Sequence, residues 1–134
     1  MTMVIEIPEE LNVMVPALQD LVESAKAQVE RGKLGGAVDY GSFERSLCEK
    51  LNEGERRAHE AALTALDINA PAVLVGGPRY TRVLEDVVAT FMSQDGGIPV
   101  SRTLYRACGE RNAPTVDLVA LRSGAIGGKW LPTW

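Results

Sequence analysis

Aromatic side chains, cysteine and histidine are all scarce in this chain of 134 residues. Aromatic residues make up 5% of the sequence, so a folded core must be mainly aliphatic. Cys48 and Cys108 lack the spacing of a metal site, and two cysteines in a cytosolic chain are usually free thiols. No apolar run approaches the roughly 20 residues of a membrane span. The N-terminus lacks the basic start and apolar region of a signal peptide. We therefore predict a cytoplasmic protein with no membrane partner.

A nucleophile–base pair is also missing. His59 is the only histidine, and it follows Cys48 by eleven positions. On one continuous helix that spacing separates the two side chains by roughly 16 Å, at about 1.5 Å per residue. They cannot share a metal or exchange a proton unless the helix folds back sharply at Gly54.

Phosphate-loop and nuclease motifs are absent as well. The turn Gly76-Gly77-Pro78 has no lysine after it, and the proline removes a backbone N–H that a phosphate would need. A two-metal nuclease needs carboxylates that converge within about 4 Å of shared ions. Asp95 falls in a turn, and the adjacent Glu85 and Asp86 point to opposite faces of a strand. The sequence therefore predicts no enzyme, no cofactor and no metal.

Helical periodicity dominates the first half. Apolar residues recur every three to four positions over residues 15–31, with Pro16 in the first turn, where proline is tolerated. Residues 9–14 form a separate turn, and three glycines, Gly32, Gly35 and Gly36, end the helix. A second helix is predicted over residues 42–66 with Ser42 as its N-cap. Gly54 lies in its middle and leaves a break there open.

Strand patterns replace the helical period after Pro71. We predict an α+β fold, in which two N-terminal helices are followed by an antiparallel β-meander of three to four strands. The regions are residues 1–70, helical, and residues 71–134, a β region with an irregular tail, together forming one compact domain. A turn at residues 94–97 separates the two main strands. The predicted extended segments are residues 72–75, 80–83, 87–92, 98–107 and 115–121, and the predicted irregular tail is residues 127–134.

Positive charge is concentrated in the second half. Residues 1–70 contain 7 Lys and Arg residues and 13 Asp and Glu residues. Residues 71–134 contain 7 Lys and Arg residues and 5 Asp and Glu residues. Arg102 and Arg106 project from one face of their strand, and Arg79 and Arg82 lie in the neighbouring segment. A sheet face with several arginines can contact phosphates, whereas the alternative is an ordinary solvated face. These four arginines are the predicted DNA-binding residues.

An ordered series of short motifs resembles a known family. It comprises Gly77-Pro78-Arg79-Tyr80-Thr81-Arg82, Val100-Ser101-Arg102-Thr103-Leu104-Tyr105-Arg106, Gly109-Glu110-Arg111-Asn112, Val116-Asp117-Leu118, Leu121-Arg122-Ser123-Gly124 and Trp130-Leu131-Pro132. The series resembles the N-terminal part of bacterial insertion-sequence transposases of the Kra-type family, over roughly residues 43–134. In that family the acidic-triad nuclease lies further downstream. The resemblance implies a non-catalytic domain that binds DNA ends, assembles the transposase, or both.

A protein-interaction module without DNA binding is the alternative hypothesis. The helices at residues 15–31 and 42–66 are acidic and carry apolar stripes. Such helices can pair within one chain or across a homodimer.

Overall fold

The computed structural model describes residues 1–126 and 129–130. It contains two compact units, one formed by Met1–Ala61 and one that begins at Ala62. Two long helices precede a four-stranded antiparallel sheet, which confirms the predicted α+β class. The division at residues 70 and 71 within one compact domain stays a prediction. None of the helices in the described part of the chain has the length and apolar character needed to cross a membrane.

The first helix follows a short 3-10 helix, Glu9–Met14, and spans Val15–Lys33 (α1). Pro16 lies in its first turn, where a missing backbone N–H breaks no helical bond. The predicted separate turn at residues 9–14 is confirmed. Gly32 does not stop the helix as expected, because α1 continues through it and ends before Gly35, whose φ of +83° suits glycine.

The second helix, Tyr40–Thr64 (α2), begins two residues earlier than the sequence pattern suggested. The backbone N–H of Ser42 donates to the Asp39 carboxylate at 3.1 Å. Asp39 therefore satisfies one of the unpaired N–H groups of the first turn. The prediction that Ser42 caps this helix is wrong, because an equally good capping residue precedes it by three positions.

No break occurs at Gly54, and α2 is continuous through it. Glu53 accepts hydrogen bonds from Arg56 at 2.5 Å and from Arg57 at 2.8 Å, and Arg57 also donates to Glu60 at 2.9 Å. The hydrogen bond from Arg56 is the largest cause that lowers the pKa of Glu53. Pairs of this spacing each contribute about 0.2–0.5 kcal/mol, which offsets part of the roughly 1 kcal/mol that glycine costs in a helix.

A long hairpin forms the centre of the second unit. The four-stranded sheet has the order β1-β2-β3-β4, and its strands are Ala72–Leu74 (β1), Arg79–Ser93 (β2), Gly96–Ala107 (β3) and Val116–Asp117 (β4). Ser93 pairs with Gly96 across a two-residue turn. Gly96 has a φ of +108°, a conformation that glycine adopts without strain. The predicted turn between the two main strands is confirmed.

β2 is one strand where the sequence pattern predicted two. Its register against β3 shifts between Arg82 and Leu84 and again between Leu84 and Val87. Each shift is a β-bulge, which absorbs an extra residue without ending the strand. Asp86, in the second shift, has a φ of +53°, a conformation that aspartate tolerates better than most residues. The bulges interrupted the alternating pattern, so the prediction of a gap there was wrong.

The last predicted strand is also wrong. Within the predicted strand at residues 115–121, only β4 is extended, and the helix Leu118–Ser123 (α3) follows directly after it. Asp117 caps this helix by accepting from the N–H groups of Val119 and Ala120, and Gly124 ends it with a φ of +75°. The strands Ala125–Ile126 (β5) and Lys129–Trp130 (β6) then pair, so the tail is not irregular there. The rest of the predicted irregular tail, at 127–128 and 131–134, lies outside the described residues.

Apolar packing in the second unit centres on the hairpin. The buried cluster consists of Leu63, Phe91, Ile98, Val100 and Val119. Residues 67–70 are held against β3 by hydrogen bonds. Asp67 accepts from the backbone N–H and the hydroxyl of Thr103 at 3.0 and 2.9 Å. The fully buried Tyr105 donates its hydroxyl to the Ile68 carbonyl and accepts from the Ala70 N–H at 3.2 Å.

Replacing Tyr105 with phenylalanine tests this attachment. Tyr105→Phe leaves the Ile68 carbonyl and the Ala70 N–H without their partner, so we expect the free energy of unfolding to fall by about 1 kcal/mol. Urea denaturation followed by circular dichroism measures it. Tyr40→Phe is the matched control, because Tyr40 is exposed, and its effect should stay within about 0.5 kcal/mol. Equal effects of the two changes would show that the Tyr105 hydroxyl does not hold residues 67–70.

Candidate nucleic-acid interface

The four predicted arginines divide between two faces of the sheet. β2 and β3 pair Thr81 with Arg106 and Arg82 with Tyr105. Paired residues in an antiparallel sheet point to the same face, and neighbours along a strand point to opposite faces. Arg106 therefore shares a face with Thr81 and Arg79, and Arg82 lies on the opposite face beside Tyr105.

Arg102 is bound within the fold. Its Nη1 lies 2.5 Å from Asp117 Oδ2, and its Nε donates to the Val87 carbonyl at 3.2 Å. The arginine side chain is 17% exposed and the aspartate 13%. The other oxygen of Asp117 accepts from the first N–H groups of α3. Arg102 thus joins β2, β3 and the start of α3, and its charge is balanced by a neighbouring carboxylate.

Arg82 also has partners on the protein. Its Nη1 donates to Asn69 Oδ1 at 2.6 Å and lies 2.9 Å from Glu85 Oε1. Its backbone N–H donates to the Pro71 carbonyl at 3.0 Å. The side chain is about one-third exposed. Like Arg102, Arg82 has a carboxylate partner that reduces its attraction for a phosphate.

Arg79 and Arg106 are placed differently. Arg79 is exposed at the start of β2, and its side chain makes no ion pair with any described residue. Arg106 donates through Nε to the Ala113 carbonyl at 3.0 Å, which fixes the guanidinium, and no described carboxylate forms an ion pair with it. It borders an open groove of about 440 Å³, together with Thr81, Cys108 and Arg111. This groove brings together two arginines without a carboxylate partner in the described part of the chain.

Two residues of this region were missed by sequence reasoning. Arg111 lies in the turn after β3, and a lone arginine in a turn gives no signal that it faces a groove. Asp117 does carry a signal, because an aspartate before an apolar run that ends at Gly124 is typical of a capped helix. The valines around Asp117 have a high strand propensity, which favoured a strand over the helix α3.

Cys48 and His59 do not form a site with each other. Cys48 and Cys108 are free and exposed. Cys48 and His59 both lie on the uninterrupted α2, so the roughly 16 Å separation expected from helix geometry applies. His59 Nε2 lies 3.5 Å from a carboxylate oxygen of Glu55, one turn away on the same helix.

No protein-family model, curated protein or solved structure matches this chain. The resemblance to Kra-type transposases therefore rests on the motif series and stays a prediction. Several residues of that series are buried or form an ion pair within the fold. Val100 and Tyr105 are buried, and Arg102 forms the ion pair with Asp117. Leu131 and Pro132 of the series lie outside the described residues.

Replacing Arg102 or Arg79 with alanine should have very different effects on the free energy of unfolding. Arg102→Ala leaves the Asp117 carboxylate largely buried without its partner, so we expect a loss of about 2–4 kcal/mol in the free energy of unfolding. Arg79→Ala removes an exposed side chain and should change it by less than about 0.5 kcal/mol. Urea denaturation compares the two variants. A small effect of Arg102→Ala would contradict the structural role assigned to the ion pair.

Proposed function

We propose that this chain is a non-catalytic assembly domain of a transposase-like protein, in which two copies associate through α1. The observation that carries the proposal is the lack of a core in the helical unit. From Met1 to Ala61, all of which the structure describes, no apolar side chain is buried. Helices of this length depend mainly on tertiary packing for stability. A second copy would supply the packing that the unit lacks.

Two exposed apolar side chains on α1 are available for association. Val22 is 64% exposed and Val29 is 58% exposed. Seven residues separate them, which is close to two helical turns, so both lie on one side of the helix. Val15 continues the same line toward the N-terminus. Exposed apolar side chains in a row are typical of an interaction surface, whereas isolated ones are ordinary.

Charge along α1 favours a second copy that runs in the opposite direction. The first half of the helix has only acidic charges and the second half is mainly basic: Asp20 and Glu23 are followed by Lys26, Glu30, Arg31 and Lys33. In an antiparallel pair, the acidic half of each copy lies beside the basic half of the other. A parallel pair would place like charges together, which is unfavourable.

Three carboxylates of the second unit have structural partners and support a non-catalytic role. Asp67 holds Thr103, and Asp117 pairs with Arg102 and caps α3. Glu85 forms an ion pair with Arg82. Each of these acidic groups has a structural partner, which differs from a cluster that converges on shared metal ions. The transposase-like origin is supported by the motif series.

Contact with DNA through the sheet is a second candidate function. It is favoured by the placement of Arg79, Arg106 and Arg111, none of which has a carboxylate partner among the described residues. Lysine and arginine side chains supply most of the sequence-independent attraction to the DNA backbone. Arg82 and Arg102 are weaker candidates for this contact, because each forms an ion pair with a carboxylate.

Substitution of the exposed valines tests the assembly proposal. Val22→Glu/Val29→Glu places charges in the apolar contact, so we expect a dimer in the wild type and a monomer in the variant by light scattering at high micromolar concentration. Val88→Glu is the control, because Val88 is 65% exposed but lies on β2. A monomeric wild type, or a variant that still dimerises, would overturn the proposal.

Charge reversal tests the orientation. In an antiparallel pair, Glu23→Lys and Arg31→Glu should each weaken the dimer, because both create repulsion with the partner helix. Mixing the two variants should restore association, since each reversed charge then meets its opposite. Sedimentation equilibrium of the separate and mixed proteins measures this. If either variant alone dimerises as strongly as the wild type, the antiparallel arrangement is wrong.

A further inference from the structure

An open groove in the second unit lies where β2, the end of β3 and the following turn come together. Its volume is about 440 Å³. Thr81 on β2 pairs with Arg106 on β3, so the two side chains share the face that borders the groove. Arg111 approaches from the turn after β3, and Cys108 and Glu110 complete the polar lining.

Arg106 is fixed in this groove by a single hydrogen bond. Its Nε donates to the Ala113 carbonyl at 3.0 Å, across the turn that carries Arg111. The bond leaves the two terminal nitrogens of the guanidinium for a ligand. In the described part of the chain, no carboxylate forms an ion pair with Arg106 or Arg111. A guanidinium held at one nitrogen loses little further freedom when it binds an anion.

We propose that this groove binds a phosphodiester group of DNA through Arg106 and Arg111, with the Thr81 hydroxyl as a further donor. The proposal deepens the second candidate function and rests on it. Planar guanidinium groups match the oxygens of a phosphate and donate charge-assisted hydrogen bonds to them. The groove is open to solvent, so a nucleic-acid backbone can pass along it with one phosphate seated between the arginines.

Glu110 sets the strength of this site. It borders the same groove and carries the opposite charge, so it reduces the attraction for an anion. Two arginines and one glutamate leave a net charge of +1, and Arg79 adds a further positive charge on the same sheet face. This balance fits weak, sequence-independent contact with a backbone. Removing the glutamate charge should therefore strengthen binding.

The experiment measures binding of the full chain to a fluorescently labelled DNA duplex of arbitrary sequence by anisotropy at several salt concentrations. Each lost phosphate contact lowers the magnitude of the log–log salt slope by about 1. Arg106→Gln/Arg111→Gln removes this phosphate contact, so it should lower the slope by about 1 and weaken binding at low salt. Arg111→Gln alone, whose side chain makes no hydrogen bond to a described residue, should weaken binding less than the double variant.

Two variants separate the groove from general charge effects. Glu110→Gln should tighten binding, a change that a purely structural role for these residues would not produce. Arg45→Gln removes the same charge from an exposed position on α2 and should leave the salt slope unchanged. Circular dichroism confirms that each variant is folded.

The outcomes distinguish the groove from the wider function. A wild-type chain that does not bind DNA at low salt overturns both DNA contact and the groove. Binding that Arg106→Gln/Arg111→Gln leaves unchanged overturns the groove alone. Titration with inorganic phosphate by calorimetry tests the other source of this ligand chemistry. Saturable phosphate binding that needs both arginines, without any effect of them on DNA, would assign the groove to free phosphate and overturn the proposal.

Discussion

The ion pair between Arg102 and Asp117 connects the elements of the second unit. Arg102 lies in the centre of β3 and also donates to a carbonyl of β2. Asp117 ends β4 and caps α3. One interaction therefore fixes where the short fourth strand stops and where the helix begins. A largely buried pair of this kind adds modest net stability, but losing either partner leaves an unpaired charge in the fold.

The two units satisfy their apolar and polar groups in different ways. The second unit buries a cluster around Phe91, Ile98 and Val119, and holds residues 67–70 by hydrogen bonds to Thr103 and Tyr105. The first unit has ion pairs along α2 but no buried apolar side chain. Ion pairs on an exposed helix contribute little to stability, so they do not replace the buried apolar contacts that stabilise the second unit. This contrast is the physical basis of the assembly proposal.

Sequence patterns predicted the main elements because each has a strong local cause. The three-to-four residue period of apolar side chains predicted α1 and α2, and the glycines after Gln94-Asp95 predicted the turn between β2 and β3. The errors fall where a local pattern was interrupted or ambiguous. Two bulges hid the continuity of β2, and valine-rich residues around Asp117 resembled a strand although a cap and Gly124 define a helix. The N-cap of α2 was also predicted wrongly, because backbone geometry at the helix end decides whether Asp39 or Ser42 caps it.

The candidate arginines show what sequence alone determined and what only tertiary structure decided. Strand alternation determined that Arg102 and Arg106 share a face, because side-chain direction along a strand is a local property. It could not determine which guanidinium has a carboxylate beside it, since Asp117 is fifteen residues from Arg102 and meets it only when β4 pairs with β3. Composition and period therefore determined the fold class and the location of the positive charge. The tertiary structure decided which charges the protein itself neutralises and which remain available for a partner.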